Sequence, residues 1–306
     1  MTDSPATSAP VSTASASKAA GSPARQSAGA AGVGLVLAGI FSQQFGAAAA
    51  TSLFPQLGAT GVVSLRLTVS ALVLLVVCRP SMRGYGRSDW TVVIGFGVAL
   101  AGMNLLFYQA IARIPLGAAV TLEVLGPLVL SVVSARRASS WLWALLALTG
   151  VGLLGRSGFH SLNVSGVAFA LGAATFWAAY ILLSARTGDR FPKIDGLALA
   201  MTAGAMLSLP LGIADAGHAM LDPAALGLGA AVALLSSVLP YTAEMTSLRR
   251  LTPAVFAVLM SLTPAVAALA GYLALGQRLA PLQVLAIILV VAASAGAVRT
   301  SAAPIK

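Results

Sequence analysis

The stretch GVVSLRLTVSALVLLVVCRP, from Gly61 to Pro80, decides the class of fold. It is an almost unbroken apolar run of the length, about 20 residues, that an α-helix needs to cross a bilayer. One charged residue, Arg66, lies inside it. The whole chain is 58% hydrophobic and 8% charged, which is too apolar for a soluble globular domain. The sequence therefore predicts an all-α polytopic membrane protein.

Similar apolar runs recur along the chain and predict ten transmembrane helices. They lie near 32–52, 58–78, 90–111, 115–135, 140–156, 165–184, 196–213, 224–247, 253–274 and 280–299. The residues before them, 1–30, are rich in Ala, Ser, Thr and Pro, so we expect a disordered cytoplasmic tail there. The first run is too long for the apolar core of a signal peptide and further runs follow it, so we expect it to be a retained helix.

The basic residues predict the orientation of these helices. The net charge is +10, but the Lys and Arg residues lie in the short segments between apolar runs rather than in one patch, which argues against a nucleic-acid partner. With the N-terminus inside, fourteen of them fall on the cytoplasmic side and three, Arg113, Arg156 and Arg278, fall outside. The positive-inside rule therefore predicts that both termini are cytoplasmic.

The two halves of the chain resemble each other. The segment ARIPLGAAVTLEVLGPL (Ala112–Leu128) aligns without a gap on RRLTPAVFAVLMSLTPA (Arg249–Ala265), which matches Pro127 with Pro264. Two repeats, 31–157 and 163–300, then hold five helices each. An odd number of helices per repeat inverts the second repeat, and inverted repeats are typical of secondary transporters with a site near the membrane midplane. Gly126, Pro127 and Pro264 are the hinge candidates, because proline interrupts a helix.

Polar residues of four predicted helices lie at a similar depth in the outer half of the membrane. A charge in hydrocarbon is costly unless it faces a cavity or a partner, so we expect Glu123 to pair with Arg66. Alternatively, Arg66 reaches up to the outer interface, and Glu123 is a structural acid bonded to a neighbouring helix. Further candidates for substrate binding, or for bonds between helices, are Gln43, Gln44 and Asn104.

A second polar cluster is predicted in the inner half. Tyr241 and Glu244 are three residues apart on one helix face, as are Trp177 and Tyr180 on another helix. We predict that the aromatic residues contact substrate and that Glu244, like Glu123, takes part in proton coupling. The alternatives are an interfacial aromatic belt and a pairing of Glu244 with the basic residues that follow it.

Several function classes are not supported by any motif in the chain. It has no Gly-rich phosphate loop of the G-x-x-x-x-G-K-[ST] type, no H-E-x-x-H and no metal-spaced cluster, and its single cysteine, Cys78, cannot form an internal disulfide. We therefore expect neither an enzyme nor a bound metal or cofactor. The expected partners are the lipid bilayer, a small substrate and a coupling ion.

Three segments carry a family resemblance: SLFPQLGATGVVSLRL (Ser52–Leu67), GMNLLFYQAIARIPLGAAVTLEVLGPL (Gly102–Leu128) and LPYTAEMTSLRRL (Leu239–Leu251). With ten helices in two inverted halves, the chain resembles the drug/metabolite transporter superfamily (EamA-type), and these segments look like its threonine/homoserine exporter group. The resemblance implies export of small amino acids driven by an ion gradient, across a bacterial cytoplasmic (inner) membrane. The chain departs from the family at Thr263-Pro264 and Gly276-Gln277, where members often carry an acid.

A zwitterionic amino acid needs a cation for its carboxylate and an acceptor for its ammonium group. Arg66 and Glu123 offer both, so we expect proton-coupled antiport by alternating access. Two alternatives remain. The cargo is a hydrophobic drug or another metabolite, or the chain is a membrane binding or sensory protein that transports nothing.

Overall fold

The computed structural model describes residues 23–135, 138–156, 163–192, 194–248, 250–251 and 253–302. Every regular element in these ranges is a helix or a helical turn. In chain order the helices are α1 (Pro23–Ala50), α2 (Phe54–Cys78), α3 (Arg87–Ile111), α4 (Leu116–Glu123), α5 (Leu125–Ala135), α6 (Ala138–Arg156), α7 (Val164–Gly188), α8 (Asp195–Ala216), α9 (Pro223–Ala233), α10 (Leu239–Leu248), α11 (Pro253–Met260), α12 (Thr263–Leu275) and α13 (Pro281–Ala302).

The lengths and compositions of these helices define a polytopic membrane protein. Eight described segments are long and apolar enough to cross a membrane, and one of them, Ala30–Cys78, contains most of α1 and all of α2. A shorter apolar segment, Trp141–Leu153, lies in α6. Helix α1 begins at Pro23, inside the segment 1–30. Residues 1–22 lie outside the described residues, so the disordered tail stays a prediction.

Many large aliphatic side chains face outward, and many alanines lie buried between helices. Val77 is 71% exposed and Leu142 is 67% exposed, whereas Ala50, Ala101 and Ala200 are fully buried. Lipid tails cover apolar side chains at no cost, and small residues allow helices to approach closely. At Gly126 a β-carbon would overlap the backbone carbonyl of Ala174, so α5 and α7 are in contact through their main chains.

Three of the predicted spans are interrupted. The span near 115–135 is divided into α4 and α5 at Val124, and the span near 253–274 is divided into α11 and α12. Proline has no N–H, so Pro127 leaves the carbonyl of Glu123 without its helical partner, and Pro264 does the same to the carbonyl of Met260. Both interruptions therefore follow from the sequence.

The span near 224–247 is interrupted differently. Between α9 and α10 the residues Leu234–Val238 form a turn of π-helix, which ends two residues before Pro240. Turns of this kind are often found at functional sites.

Helix α2 has a local irregularity near its beginning. Gly58 has φ 63° and ψ 168°, which only glycine adopts readily. The side chain of Asp215, at the end of α8, occupies the space where a β-carbon of Gly58 would lie. The bend thus allows α2 and α8 to meet closely at this end.

The helices pack in a small set of pairs. The main contacts join α2 with α8, α3 with α7 and α8, α6 with α13, α1 with α10 and α12, α4 with α7 and α12, and α2 with α9. The largest buried core surrounds α2, α3 and α4, and it contains Leu67, Tyr108 and Leu116. Arg66 lies within this core.

Candidate functional site

Arg66 is buried, with 4% of its surface exposed, and its guanidinium is bound by three neutral groups. Its Nε donates to the hydroxyl of Ser237 (3.0 Å), Nη1 donates to the hydroxyl of Tyr108 (2.8 Å), and Nη2 donates to the carbonyl of Ser236 (3.3 Å). The guanidinium carbon also lies 5.3 Å from the centre of the Tyr108 ring, within the range of a cation–π interaction. The charge is therefore held in place inside the protein, and the alternative of an extended side chain at the outer interface is wrong.

Pro240 explains why one of these acceptors, the carbonyl of Ser236, is available. In a regular α-helix the carbonyl of Ser236 would accept from the N–H of residue 240, which is a proline and has none. That carbonyl is directed instead to Arg66, and the side chain of Ser237 lies beside it. The sequence SSVLP thus produces a polar face within an otherwise apolar span.

The expected ion pair between Arg66 and Glu123 is not formed. In the described part of the chain, the single ion pair within 4 Å joins Arg190 and Asp89 at 2.9 Å. Glu123 is buried at the end of α4 and lies within electrostatic range of Arg66 without touching it. The prediction failed because depth in the membrane does not determine direction: α2 packs on α8 and α9, whereas α4 packs on α7 and α12.

The predicted inner cluster is continuous with the outer one. Tyr241 lies within electrostatic range of Arg66, Glu123 and Glu244, and its side chain lies near that of Tyr180. The two predicted clusters therefore form one polar site between the halves of the chain, with Tyr241 in its middle.

The aromatic candidates lie inside the helix bundle. The ring of Tyr180 packs on Phe96, with 5.2 Å between ring centres, and Trp177 packs against the main core. Both side chains are half-buried, which does not fit an interfacial belt. Tyr180 thus belongs to the polar site, and Trp177 lies one helical turn before it.

The remaining polar candidates differ in their surroundings. Asn104 is buried and donates to the carbonyl of Leu100 in its own helix (2.8 Å). Gln43 is half-buried, whereas Gln44 is 4% exposed and its Oε1 has no hydrogen-bond partner.

Sequence reasoning missed three residues of the site: Tyr108, Ser236 and Ser237. A single tyrosine or serine in an apolar helix is common and carries no signal by itself. The available signal was Pro240, because a proline in the interior of a span identifies the residue four positions earlier as a free carbonyl.

A separate cleft of about 450 Å³ opens beside the site at the ends of α2, α3 and α8. It is lined by Thr60, Leu105, Leu106, Gln109, Leu211, Ala214 and Asp215. Gln109 donates to Thr60 (3.0 Å), and its own oxygens accept from Arg113. Within the described residues no group of three His, Cys, Asp or Glu side chains is arranged to hold a metal ion.

Comparison with known proteins agrees with an architecture of apolar membrane-spanning helices. The model of the EamA-like transporter family matches residues 164–299. The chain belongs to this family of membrane transporters, and it is not an enzyme.

Within the family, the chain groups with the threonine/homoserine exporters. It is 39% identical over 269 residues to the threonine/homoserine exporter RhtA of Escherichia coli (strain K12), which covers 87% of this chain and 90% of the relative. The identity and coverage are the same for RhtA of Salmonella typhimurium (strain LT2). A crystal structure of a protein that is 21% identical covers 86% of this chain and 96% of its own, with a TM-score of 0.57, and shows the same fold.

Proposed function

We propose that this chain exports threonine, homoserine and related small amino acids from the bacterial cytoplasm by proton-coupled antiport. The relatives with 39% identity over most of the chain are exporters of these two amino acids. The observation that carries the proposal is a buried arginine bound by neutral groups alone.

The hydrogen bonds of Arg66 leave two N–H donors unused, which is the number that one carboxylate accepts. A guanidinium has five N–H groups and no acceptor. Ser237, Tyr108 and the carbonyl of Ser236 accept three of them, so one N–H remains on Nη1 and one on Nη2. Two parallel N–H groups match the two oxygens of a carboxylate. Because none of the three protein partners is anionic, the positive charge is still available to the carboxylate of an amino acid.

Glu123 is placed to receive the other end of the zwitterion. It lies within electrostatic range of Arg66 but makes no ion pair with it, so its carboxylate is not committed to the arginine. In this mechanism the ammonium group of the substrate and an external proton compete for the Glu123 carboxylate, and this competition couples export to proton entry. Glu244 reaches the same site through Tyr241 and is a second candidate for proton coupling.

Helix lengths support ten crossings. The segment Ala30–Cys78 has 49 residues, which is about 74 Å of helix at 1.5 Å per residue and more than twice the thickness of a bilayer core, about 30 Å. Counting it twice and adding the segment Trp141–Leu153 to the other seven gives ten.

The packing of the helices supports an inverted repeat. The predicted repeat matches α1 with α7, α2 with α8, and α3 with the span made of α9 and α10; it also matches the α4–α5 span with the α11–α12 span, and α6 with α13. If each helix is replaced by its match, the contact of α1 with α10 corresponds to the contact of α7 with α3. The contact of α2 with α9 corresponds in the same way to that of α8 with α3, and all four contacts are present. The contact of α1 with α12 becomes that of α7 with α5. A pseudo-two-fold arrangement predicts this pattern.

The interrupted helices supply the movement. Gly126, Pro127 and Pro264 lie at the matched breaks of two spans, and Glu123 is the last residue before the first break. A small rotation there would change the side of the membrane from which Glu123 is accessible. Both termini are cytoplasmic in this arrangement, as the positive-inside rule predicts.

The experiment measures threonine efflux from proteoliposomes with an imposed proton gradient, for Arg66→Ala, Glu123→Gln and the wild type. We expect Arg66→Ala to lose substrate binding. We expect Glu123→Gln to lose the dependence on the gradient. Normal, proton-dependent transport by both variants would end the proposal, and a panel of hydrophobic drugs tested in the same liposomes separates amino-acid export from drug export.

A further inference from the structure

A cavity of about 430 Å³, which we call the lateral recess, lies on the flank of α2 that faces α8 and α9. The turn Gly217–Leu221, in the connection between α8 and α9, completes its wall. Its lining residues are Leu65, Thr68, Leu209, Ile213, Gly217, His218, Met220, Leu221 and Leu226. All of them except Thr68 and His218 are apolar, so the recess suits a hydrocarbon better than it suits an amino acid.

The lateral recess is separate from the site at Arg66. Thr68 follows Arg66 by two residues, which is about 200° around a helix of 3.6 residues per turn, so the two side chains leave α2 in nearly opposite directions. The groups that bind Arg66 are not among the described lining residues of the recess. The occupant of the recess is therefore not the amino acid that Arg66 is proposed to bind.

The lateral recess opens on the lipid-facing surface of the helix bundle. Three of its lining side chains are largely exposed: Leu221 is 73% exposed, Ile213 is 54% exposed and Leu226 is 40% exposed. They belong to two segments that are long and apolar enough to cross a membrane. Apolar side chains exposed on such segments are covered by lipid tails. The recess is thus an indentation in the surface that contacts acyl chains.

The depth of the lateral recess matches one leaflet of the bilayer. Asp215 is exposed near the end of α8, and it marks the level of the interface because a charge in hydrocarbon is costly. Helices α2 and α8 are antiparallel here, since Gly58 lies against Asp215 and Ser64 donates to the carbonyl of Ser208 (2.6 Å). Thr68 lies ten residues beyond Gly58, which is about 15 Å of helix. Half of a hydrocarbon core of about 30 Å has the same length.

The chemistry of the lining selects an acyl chain as the occupant. Water has few hydrogen-bond partners in an apolar cavity and does not fill it. An unfilled cavity deprives its lining of van der Waals contacts, which a hydrocarbon chain restores. His218 belongs to the connection between α8 and α9 and therefore lies at the interfacial end of the recess. An imidazole N–H there can donate to a phosphate oxygen of a lipid headgroup.

We propose that the lateral recess binds one phospholipid, with an acyl chain along α2 and the phosphate at His218. The lipid comes from the leaflet that contains the connection between α8 and α9, which is the outer leaflet if both termini are cytoplasmic as predicted. This ligand is not the cargo, so the inference goes beyond the proposed function and does not depend on it. The bound chain joins α2, α8 and α9, and α9 leads into the π-helical turn that binds Arg66.

The first experiment locates the acyl chain. The full-length protein is reconstituted in liposomes of phosphatidylethanolamine and phosphatidylglycerol that contain a phosphatidylglycerol with a diazirine on one chain. A diazirine near the terminal methyl should label residues beside Thr68 and Leu209, and one near the ester should label the turn Gly217–Leu221, as mapped by mass spectrometry. Equal labelling of exposed apolar residues all round the protein would show bulk lipid only and overturn the proposal.

Variants that fill the lateral recess provide the control. Ile213→Trp should reduce the labelling by about tenfold, because a larger side chain competes with the acyl chain for the same space. Ile288→Trp is the matched substitution, since Ile288 is 56% exposed on α13 and does not line the recess, and it should label like the wild type. Leu226→Trp is a second filling variant in case Ile213→Trp does not fold. Unchanged labelling in a folded filling variant would overturn the proposal.

The second experiment tests the headgroup. Native mass spectrometry of the wild type should show retention of the phospholipid about threefold or more above that of a diacylglycerol with the same chains, and His218→Ala should lose this preference. Equal retention of the two lipids by the wild type would overturn the placement of the phosphate at His218. Retention of a hydrophobic drug but of no phospholipid would overturn the proposal as a whole. Neither experiment measures transport, so failure of the proposed function would leave both results standing.

Discussion

Tyr108→Phe is the sharpest single-atom test of how the arginine is held. The substitution removes the hydroxyl that accepts from Nη1 of Arg66 at 2.8 Å, and it keeps the ring that lies 5.3 Å from the guanidinium carbon. A hydrogen bond to a charged group contributes about 1.5–3 kcal/mol, which corresponds to roughly 10- to 100-fold in an equilibrium constant. We therefore expect the KM for threonine to rise by about tenfold or more, because the guanidinium is no longer fixed in the orientation that the carboxylate requires.

The ring and the hydroxyl can be separated by a second variant. Tyr108→Leu also removes the cation–π contact, which adds about 0.5–2 kcal/mol, so its defect should exceed that of the phenylalanine variant. Tyr272→Phe is the matched control, because Tyr272 is 59% exposed on α12. The assay is threonine counterflow in proteoliposomes at equal amounts of folded protein. Tyr108→Phe within twofold of the wild type, or a comparable defect in Tyr272→Phe, would refute the reasoning.

Two further predictions concern the break between α4 and α5. Gly126→Ala places a methyl group against the backbone of Ala174, and we expect it to destabilise the protein by about 1–3 kcal/mol. The measurement is a lower Tm in detergent. Gly152→Ala is the control, because the added carbon meets nothing within 4 Å, and it should leave the Tm unchanged. Pro127→Ala restores the N–H that the carbonyl of Glu123 lacks, so we expect a more continuous helix and slower exchange with unchanged Tm or a higher one; equally fast exchange would contradict a hinge at this position.

Much of the fold follows from the sequence because the bilayer leaves few choices. Backbone groups in hydrocarbon must be satisfied internally, so an apolar run of sufficient length becomes a helix. The interruptions were predictable as well, because Pro127 and Pro264 each remove a donor that the helix requires. The irregular turn before Pro240 was not predicted, because its residues, LLSSV, differ little from those of the regular spans around them.

The candidate site was only partly predictable. Arg66 was identified because a lone charge in an apolar span requires a partner or a cavity. Its partners were not found, since an apolar sequence of nearly uniform character gives the depth of a residue but not its direction around the helix. Tyr108 lies on α3, which contacts α2, and it was passed over in favour of a residue of opposite charge on a helix that packs elsewhere.

The difference between an ionic and a neutral environment for Arg66 decides what the site can do. An ion pair with Glu123 would cancel the charge, and an incoming carboxylate would have to break that pair before it could bind. Hydroxyl and carbonyl partners hold the guanidinium without cancelling its charge, and Glu123 lies within electrostatic range of it without forming an ion pair. In the proposed mechanism an incoming carboxylate therefore binds Arg66 without first breaking a buried ion pair, which would be costly. Under that proposal Arg66 recognises the carboxylate that all amino acids share, and discrimination among them must come from residues that contact the side chain.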